Sequence, residues 1–105
     1  DEYGGWLLTR EFIFDGSSIE IDADIPDEKN GKLEVEIVDP AEGHVRGGYA
    51  IKGYRLENCD ALYGDSKHHV LSYNGRTDLS ALKGQRICLR FHLVNARLYS
   101  FTVNE

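Results

Sequence analysis

Apolar and polar residues alternate strictly along three segments of the chain. Odd positions between 19 and 25 are Ile, Ile, Ala and Ile, and the positions between them are Glu, Asp and Asp. The same period of two returns at 33–37 and at 87–93. Because successive side chains of a β-strand point to opposite faces, each segment predicts a strand with one buried and one solvated face. The pattern therefore predicts a half-buried antiparallel sheet, and more specifically two sheets packed face to face.

Turn residues divide the chain into short strands. Asp15 and Gly16 predict a hairpin turn between the first two strands. Asp78 can cap a single helical turn over residues 79–82, which Gly84 would end. About eight short strands without a longer helix are typical of an all-β antiparallel sandwich, here predicted to be jelly-roll-like. The strands that can be placed cover residues 10–14, 18–25, 32–39, 51–57, 68–73, 85–94 and 97–103.

The length of 105 residues predicts a single β-sandwich domain over residues 1–105. Residues 1–9 are predicted to be a flexible lead-in, because Gly4 and Gly5 precede its apolar residues. The chain contains no Met, so we expect a domain excised from a larger protein. No stretch approaches the ~20 apolar residues of a membrane helix, and the N-terminal residues lack a signal-peptide pattern.

The net charge of −6 limits the classes of partner. Nucleic acids and anionic membranes both require a basic surface, so neither is expected to bind this chain. An acidic domain suits a neutral partner, such as a polysaccharide or another protein. Composition therefore favours a binding module over a nucleic-acid-binding or membrane-binding protein.

The polar faces of two strands carry opposite charges. Glu34 and Glu36 face outward on one predicted strand, and Arg90 and His92 face outward on another. Such residues usually form register-setting pairs on a solvated face, although they could also form a ligand platform. The two glutamates share a face, yet an open hydrated sheet gives no cleft for glycoside hydrolysis. The chain is therefore not predicted to be an enzyme.

Two further kinds of site are weighed from the residues. Cys59 and Cys88 allow either a disulfide or two free thiols, and Cys88 falls on the polar side of its strand. Asn58, Asp60 and Asp65 could supply oxygen ligands to calcium, but turn formation explains them equally well. No cofactor is predicted, and calcium remains an open alternative.

The six tyrosines are more informative. Several of them, including Tyr49, Tyr54 and Tyr63, fall in or beside loops rich in Gly or Asp. A tyrosine offers a flat apolar face and a hydroxyl, and both are useful for binding sugars. These tyrosines could equally pack at the rim of the sandwich with solvated hydroxyls. Both interpretations remain open from the residues alone.

Four short motifs occur in order along the second half of the chain. They are C-D-x-x-x-G-D at 59–65, D-L-S-x-L-x-G at 78–84, L-R-F at 89–91 and L-Y-S-F at 98–101. In this combination the chain, over roughly residues 30–103, resembles the C-terminal accessory domain of bacterial secreted proteins that carry a glycosidase-like β-propeller of the invertase or sialidase type. The resemblance implies a jelly-roll sandwich appended to an enzyme in a secreted or periplasmic protein. It transfers no catalytic residue, because those would lie on the propeller.

The predicted function is that of a non-catalytic carbohydrate-binding accessory module of a glycoside hydrolase-like protein. Its partners would be a polysaccharide or oligosaccharide and the catalytic β-propeller domain of the parent chain. The alternative is a structural domain that docks on the propeller through Trp6, Leu7 and Leu8 and binds no sugar. In the binding module, tyrosines would stack on the sugar, and polar side chains of the loop at 58–67 would accept hydrogen bonds from its hydroxyls. The predicted ligand-binding residues are Tyr49, Tyr54, Asn58, Asp60, Tyr63 and Asp65.

Overall fold

Eight β-strands form two antiparallel sheets in the computed structural model, which describes residues 4–27, 29–40 and 49–105. The predicted all-β antiparallel sandwich of about eight strands is thereby confirmed. The helical segments in the described part are single 3₁₀ turns at Leu56–Asn58 and Ser80–Leu82. The strands are β1 (Gly4–Leu8), β2 (Phe12–Ile13), β3 (Ser18–Asp24), β4 (Lys32–Asp39), β5 (Tyr49–Ala50), β6 (Ser66–Val70), β7 (Arg86–Val94) and β8 (Arg97–Asn104).

The strands divide unequally between the two sheets. The larger sheet has the order β1-β7-β4-β5, and β2 also pairs with β7. The smaller sheet has the order β6-β3-β8. Strands β1 and β2 therefore lie along one edge of the larger sheet and β5 along the other, and β6 and β8 form the edges of the smaller sheet. None of the described helices is long and apolar enough to cross a membrane.

Alternation places the core between the two sheets. Strands β3 and β4 show the burial pattern that a period of two requires, with every second side chain fully buried along most of their length. Tyr73 adds a polar group to this core, and its hydroxyl donates to the Val35 carbonyl oxygen over 2.6 Å. A buried hydroxyl needs such a partner. Side chains in the core include Ile19, Ile21, Ile25, Leu33, Val35, Ile37, Leu71, Leu79, Ile87, Leu89 and Phe91.

The predicted hairpin between residues 10–14 and 18–25 is wrong. Strand β2 pairs with β7 in the larger sheet, whereas β3 pairs with β6 and β8 in the smaller one. Residues 15–17 therefore carry the chain from one sheet to the other. Gly16 is needed at this crossing, because a Cβ there would lie 2.5 Å from the Asn104 carbonyl oxygen. The chain does change direction at Asp15 and Gly16, but the strands on either side belong to different sheets.

Two further boundaries differ from the sequence prediction. Residues 4–8 of the predicted flexible lead-in form β1, because β7 offers them an unpaired edge; residues 1–3 lie outside the described residues. The strand predicted at 68–73 lies instead at Ser66–Val70.

The strand predicted at 51–57 is also wrong. Gly53 has a φ of +90°, and the Tyr54 N–H donates to the Ile51 carbonyl oxygen, so the chain turns here. Both ends of this turn bond to Ile37 of β4, through Ile51 N–H and the Tyr54 carbonyl oxygen. Hydrogen bonds to β4 thus satisfy backbone groups at both ends of this turn, although the segment does not form a long strand.

The short helical turn was placed correctly. A 3₁₀ turn covers Ser80–Leu82, within the predicted segment at 79–82. The Asp78 carboxylate accepts a hydrogen bond from the Ser80 N–H over 2.9 Å. Gly84 follows with a φ of +89°, a conformation that ends helices at little cost for glycine.

Candidate functional site

A groove crosses the outer face of the smaller sheet, and we call it the Tyr99 groove. Its deeper part has a volume of about 360 Å³, within the range of ~300–1,000 Å³ typical of ligand sites. A shallower part of about 600 Å³ shares Asp24, Asp65 and Tyr99 with it. The residues that line the two parts are Asp22, Asp24, Pro26, Asp65, Ser66, Lys67, Asn95, Ala96, Arg97 and Tyr99.

Two β-bulges produce this groove. Along β3 and β8, Asp22 pairs with Ser100 and Ala23 pairs with Leu98, so Tyr99 is left without a partner on β3. Along β3 and β6, Ile21 pairs with His69 and Ala23 pairs with Ser66, so β6 also carries an extra residue. Bulges bend a strand and redirect side chains, and they are common next to functional sites. Both lie beside the same short segment of β3.

The bulge explains how Tyr99 reaches the surface. Phe101 and Val103 share its parity along β8, and both pack against the core. Leu98 also packs against the core, although its parity is opposite. The strand therefore changes phase next to Tyr99, whose side chain is 53 % exposed. Without the extra residue, this ring would be expected to point inward.

The groove combines an aromatic ring with hydrogen-bonding groups of both kinds. The Tyr99 hydroxyl donates to the Asp24 carboxylate over 3.1 Å, which fixes the ring at the wall of the groove. Asp65 follows Gly64, whose N–H and carbonyl oxygen both bond to Ile25, at 3.1 and 3.2 Å. The backbone thus holds Asp65 next to the end of β3. Carboxylates supply acceptors, and the side chains of Asn95 and Arg97 supply donors.

The structure does not bring the six predicted binding residues together. Asp65 is the one that lines the Tyr99 groove. Tyr63 is exposed and lines a smaller depression of about 260 Å³ at the same end of the sandwich. The two depressions are separated by the β7–β8 turn, where the Asn95 side-chain amide donates to the Asn30 carbonyl oxygen over 2.7 Å. Whether Tyr63 contacts a ligand stays a prediction.

Three other predicted residues have local structural contacts. Tyr49 lies on β5 opposite Asp39 and is 51 % exposed. Tyr54 packs edge-on against Tyr73, with ring centroids 5.2 Å apart, so much of its ring is used by the core. The Asn58 side-chain oxygen accepts from the Arg55 N–H over 3.2 Å and stabilises the first 3₁₀ turn.

Asp60, the remaining predicted residue, holds a turn. Its carboxylate accepts hydrogen bonds from the Ser72 hydroxyl and from the Gly75 N–H, both at 2.7 Å. Both bonds lower the pKa of Asp60 below its ordinary value, and the bond from Ser72 has the larger effect. Asp60 thus has a structural role in this turn, whereas Asp65, the other carboxylate of the calcium alternative, lines the Tyr99 groove. Within residues 4–27, 29–40 and 49–105, no group of three His, Cys, Asp or Glu side chains could hold a metal ion.

Both cysteines are free and buried, which corrects the disulfide alternative. Cys59 belongs to the core between the sheets, where burial raises the pKa of its thiol to about 11. Cys88 lies outside that core cluster and pairs along β7 with Val38 of β4. Cys88 is 4 % exposed, so the predicted polar side of this strand is buried at this position, and burial raises the pKa of its thiol as well. Neither thiol has the lowered pKa of a reactive cysteine.

The charged face of the larger sheet forms the predicted cross-strand pairs. Arg90 of β7 donates to the Glu36 carboxylate of β4 over 2.9 Å. Within β4, the Lys32 ammonium lies 3.1 Å from the Glu34 carboxylate. His92 Nδ1 lies 3.8 Å from Glu34, and the Trp6 ring stacks on the His92 ring at 4.2 Å. Glu34 and Glu36 thus serve as structural pairing groups on this face. This charged face belongs to the larger sheet, whereas the Tyr99 groove lies on the smaller one.

Comparisons with known proteins give no assignment. No protein-family model, no curated protein and no solved structure matches the chain.

Proposed function

We propose that the protein is a non-catalytic carbohydrate-binding accessory module that holds a polysaccharide or oligosaccharide in the Tyr99 groove. The observation that carries the proposal is the exposed Tyr99 ring, fixed by Asp24 and set beside Asp65 in an open groove. An aromatic face next to several carboxylate acceptors suits a ligand with apolar C–H faces and many hydroxyls. This assignment keeps Asp65 from the sequence-based site and adds Tyr99 to it.

Each group in the groove has a distinct role in the proposed complex. Tyr99 stacks on the C–H face of one sugar ring. Asp24 and Asp65 accept hydrogen bonds from sugar hydroxyls, while Asn95 and Arg97 donate to ring or hydroxyl oxygens. Because the groove is open and its polar groups already meet water, each bond adds little net free energy, about 0.5–1.5 kcal/mol. We therefore expect weak affinity for a single sugar and stronger binding to longer chains.

The wider setting of this module is part of the same proposal. The ordered motifs at 59–65, 78–84, 89–91 and 98–101 support an accessory domain beside a catalytic β-propeller in a secreted or periplasmic protein. In that setting the propeller carries out hydrolysis, and this domain keeps the enzyme near its substrate. The domain itself contributes binding and no covalent step.

Titration of a ¹⁵N-labelled sample with neutral oligosaccharides tests the proposal. We expect saturable chemical-shift changes at Asp24, Asp65 and Tyr99, and at least a tenfold loss of affinity in Tyr99→Ala. Tyr49→Ala is the matched control, because that ring is equally exposed but lies on the other sheet. If Tyr49→Ala or Tyr63→Ala weakens binding and Tyr99→Ala does not, the groove is the wrong site.

A second candidate function is docking against a neighbouring domain without sugar binding. Its support is a set of exposed apolar side chains on β1 and β2, at the edge of the sheet opposite the groove: Trp6, Leu7, Leu8 and Ile13. A flat response to a broad panel of oligosaccharides would contradict the binding module and favour docking. Release of chromophore from a glycoside by this chain alone would contradict the non-catalytic assignment.

A further inference from the structure

Strand β1 is an edge strand with an unusually apolar composition. Its five residues are GGWLL, so it carries no charge, whereas the whole chain has a net charge of −6. Trp6 is 59 % exposed, and Leu7 and Leu8 are also exposed. On one side β1 pairs with β7, and no described strand pairs with its other side. An exposed apolar edge of this kind is a template for pairing with another strand.

The backbone of β1 presents hydrogen-bonding groups to this open side. The Thr9 N–H donates to the Leu89 carbonyl oxygen over 2.9 Å, so Thr9 points toward β7. In an antiparallel pair the backbone groups of successive residues point to alternate sides. The N–H and carbonyl groups of Trp6 and Leu8, and by the same alternation of Gly4, therefore point away from β7.

The other edge strands carry features that discourage pairing. Strands β2 and β5 are each two residues long. Strand β6 contains Lys67 and two histidines and is bulged. Strand β8 begins with Arg97 and is bulged beside Tyr99. Short length, charge and bulges are the usual protections of an edge, and the described part of β1 has none of them.

We infer that two copies of this chain associate through antiparallel pairing of β1 with β1, which joins their larger sheets across a two-fold axis. In the register that sets Trp6 opposite Trp6, Leu8 lies opposite Gly4 and Leu7 lies opposite Gly5. Each leucine thus meets a residue with no side chain, and the two indole rings lie side by side on one face. In this register the backbone N–H and carbonyl groups that point away from β7 in one copy face those of the other copy, as hydrogen-bonded pairs require.

A second copy fits this edge better than an unrelated strand does. The sequence GGWLL is sterically complementary to its own reverse, because small residues precede the tryptophan and large ones follow it. A two-fold axis brings together the same patch of both copies, so this self-complementarity is what such an interface needs. Each copy has a net charge of −6, but β1 carries none of it, so the two paired strands bring no like charges together.

Leu8→Pro tests the pairing with little disturbance of the monomer. Proline removes the Leu8 N–H, which points to the open edge, and edge strands tolerate proline at such positions. Leu8→Ala is the matched control, since it shortens the side chain but keeps the N–H. Sedimentation equilibrium should give a mass approaching twice 11.9 kDa for the natural chain at high concentration. We expect Leu8→Pro to weaken dimerisation at least tenfold, and Leu8→Ala to weaken it less.

A second variant keeps the inference testable if Leu8→Pro fails to fold. Trp6→Lys places two ammonium groups opposite each other in the inferred register, and like charges directly opposite are unfavourable. Loss of the dimer in a folded Trp6→Lys protein supports the interface. A mass of 11.9 kDa for the natural chain throughout the concentration range overturns it, and so does a dimer that neither variant weakens. Sugar binding at the Tyr99 groove should be the same in every folded variant.

Discussion

Asp60 illustrates how one side chain organises a loop at the scale of the residue. Its carboxylate accepts hydrogen bonds from the Ser72 hydroxyl and the Gly75 N–H. Within this turn Asn74 has a φ of 53° and Gly75 a φ of 81°. The Tyr73 N–H and carbonyl groups then pair with those of Arg76 to close the turn. Because both carboxylate bonds favour the charged form, Asp60 stabilises the folded chain only while it is ionised.

This contact predicts a contribution of Asp60 to acid stability. The pKa of Asp60 is lowered from 3.8 in the folded state, so its stabilisation is complete above that ordinary value and is lost as pH falls through the folded value. We expect Asp60→Asn to have a lower urea midpoint than the natural chain near neutral pH. The two midpoints should converge once the pH is below the folded pKa of Asp60, where both side chains are neutral.

Glu57→Gln is the control for this measurement. Glu57 is highly exposed and lies 4.0 Å from the Arg55 guanidinium, so this change removes one negative charge without removing a turn contact. Its midpoints should stay close to those of the natural chain at every pH. A difference between Asp60→Asn and the natural chain that is constant from neutral to acidic pH would contradict the role assigned to the carboxylate.

At the scale of the element, strands β4 and β7 each use both of their faces. Their inner side chains form the core, and their outer side chains pair by charge in the register Glu34 to His92 and Glu36 to Arg90. The pair of Glu36 and Arg90 is largely shielded from solvent, since Glu36 is 12 % exposed. Shielding strengthens an ion pair and also makes a lone partner costly.

A double-mutant cycle on Glu36 and Arg90 measures this pairing. With Glu36→Gln and Arg90→Met, we expect a coupling free energy of about 1 kcal/mol or more in chemical unfolding. The control cycle uses Glu11 and Arg86, which lie 3.3 Å apart at an exposed position of the same sheet. That pair should couple by about 0–0.5 kcal/mol. Equal coupling in the two cycles would show that burial does not matter to the pair.

The way the chain passes between the sheets defines the architecture at the scale of the whole molecule. The chain leaves the larger sheet after β2 and enters the smaller one at β3 through residues 15–17. Here the Ser17 N–H donates to the Asn104 carbonyl oxygen over 2.8 Å, which ties the crossing to the end of β8. Gly16 lies against the same strand, with no room for a side chain. Close packing at this point holds the two layers in position.

Gly16→Ala should therefore be clearly destabilising. The new Cβ would lie 2.5 Å from the Asn104 carbonyl oxygen and 2.6 Å from Val103 Cγ1, so β8 would have to move. We expect a loss of about 1–3 kcal/mol in the free energy of unfolding, as for other overpacked sites. Gly4→Ala, measured at a dilution where the chain is monomeric, is the control, because its nearest contact would be an ordinary 3.5 Å. Equal stability of the two variants would contradict the close approach of the layers at Gly16.

The amino-acid sequence by itself determined which faces of the strands are buried. Alternation at 19–25, 33–37 and 87–93 required two layers with a dry interior, because a strand cannot hide both faces in a chain this polar. It also determined the acidic outer face of β4, the basic outer face of β7, and the Asx and glycine turn at residues 78–84. These features depend on contacts within a strand or between residues close in sequence.

Tertiary structure alone decided which strands are neighbours and where their phase changes. The pairing of β2 with β7 and the bulges beside Asp22 depend on segments far apart in sequence, which local patterns do not encode. One of those bulges brings Tyr99, which shares the parity of the core-facing Phe101 and Val103, to the surface next to Asp65. The candidate site therefore depends on a register shift of one residue, because a period of two turns every such shift into a change of face.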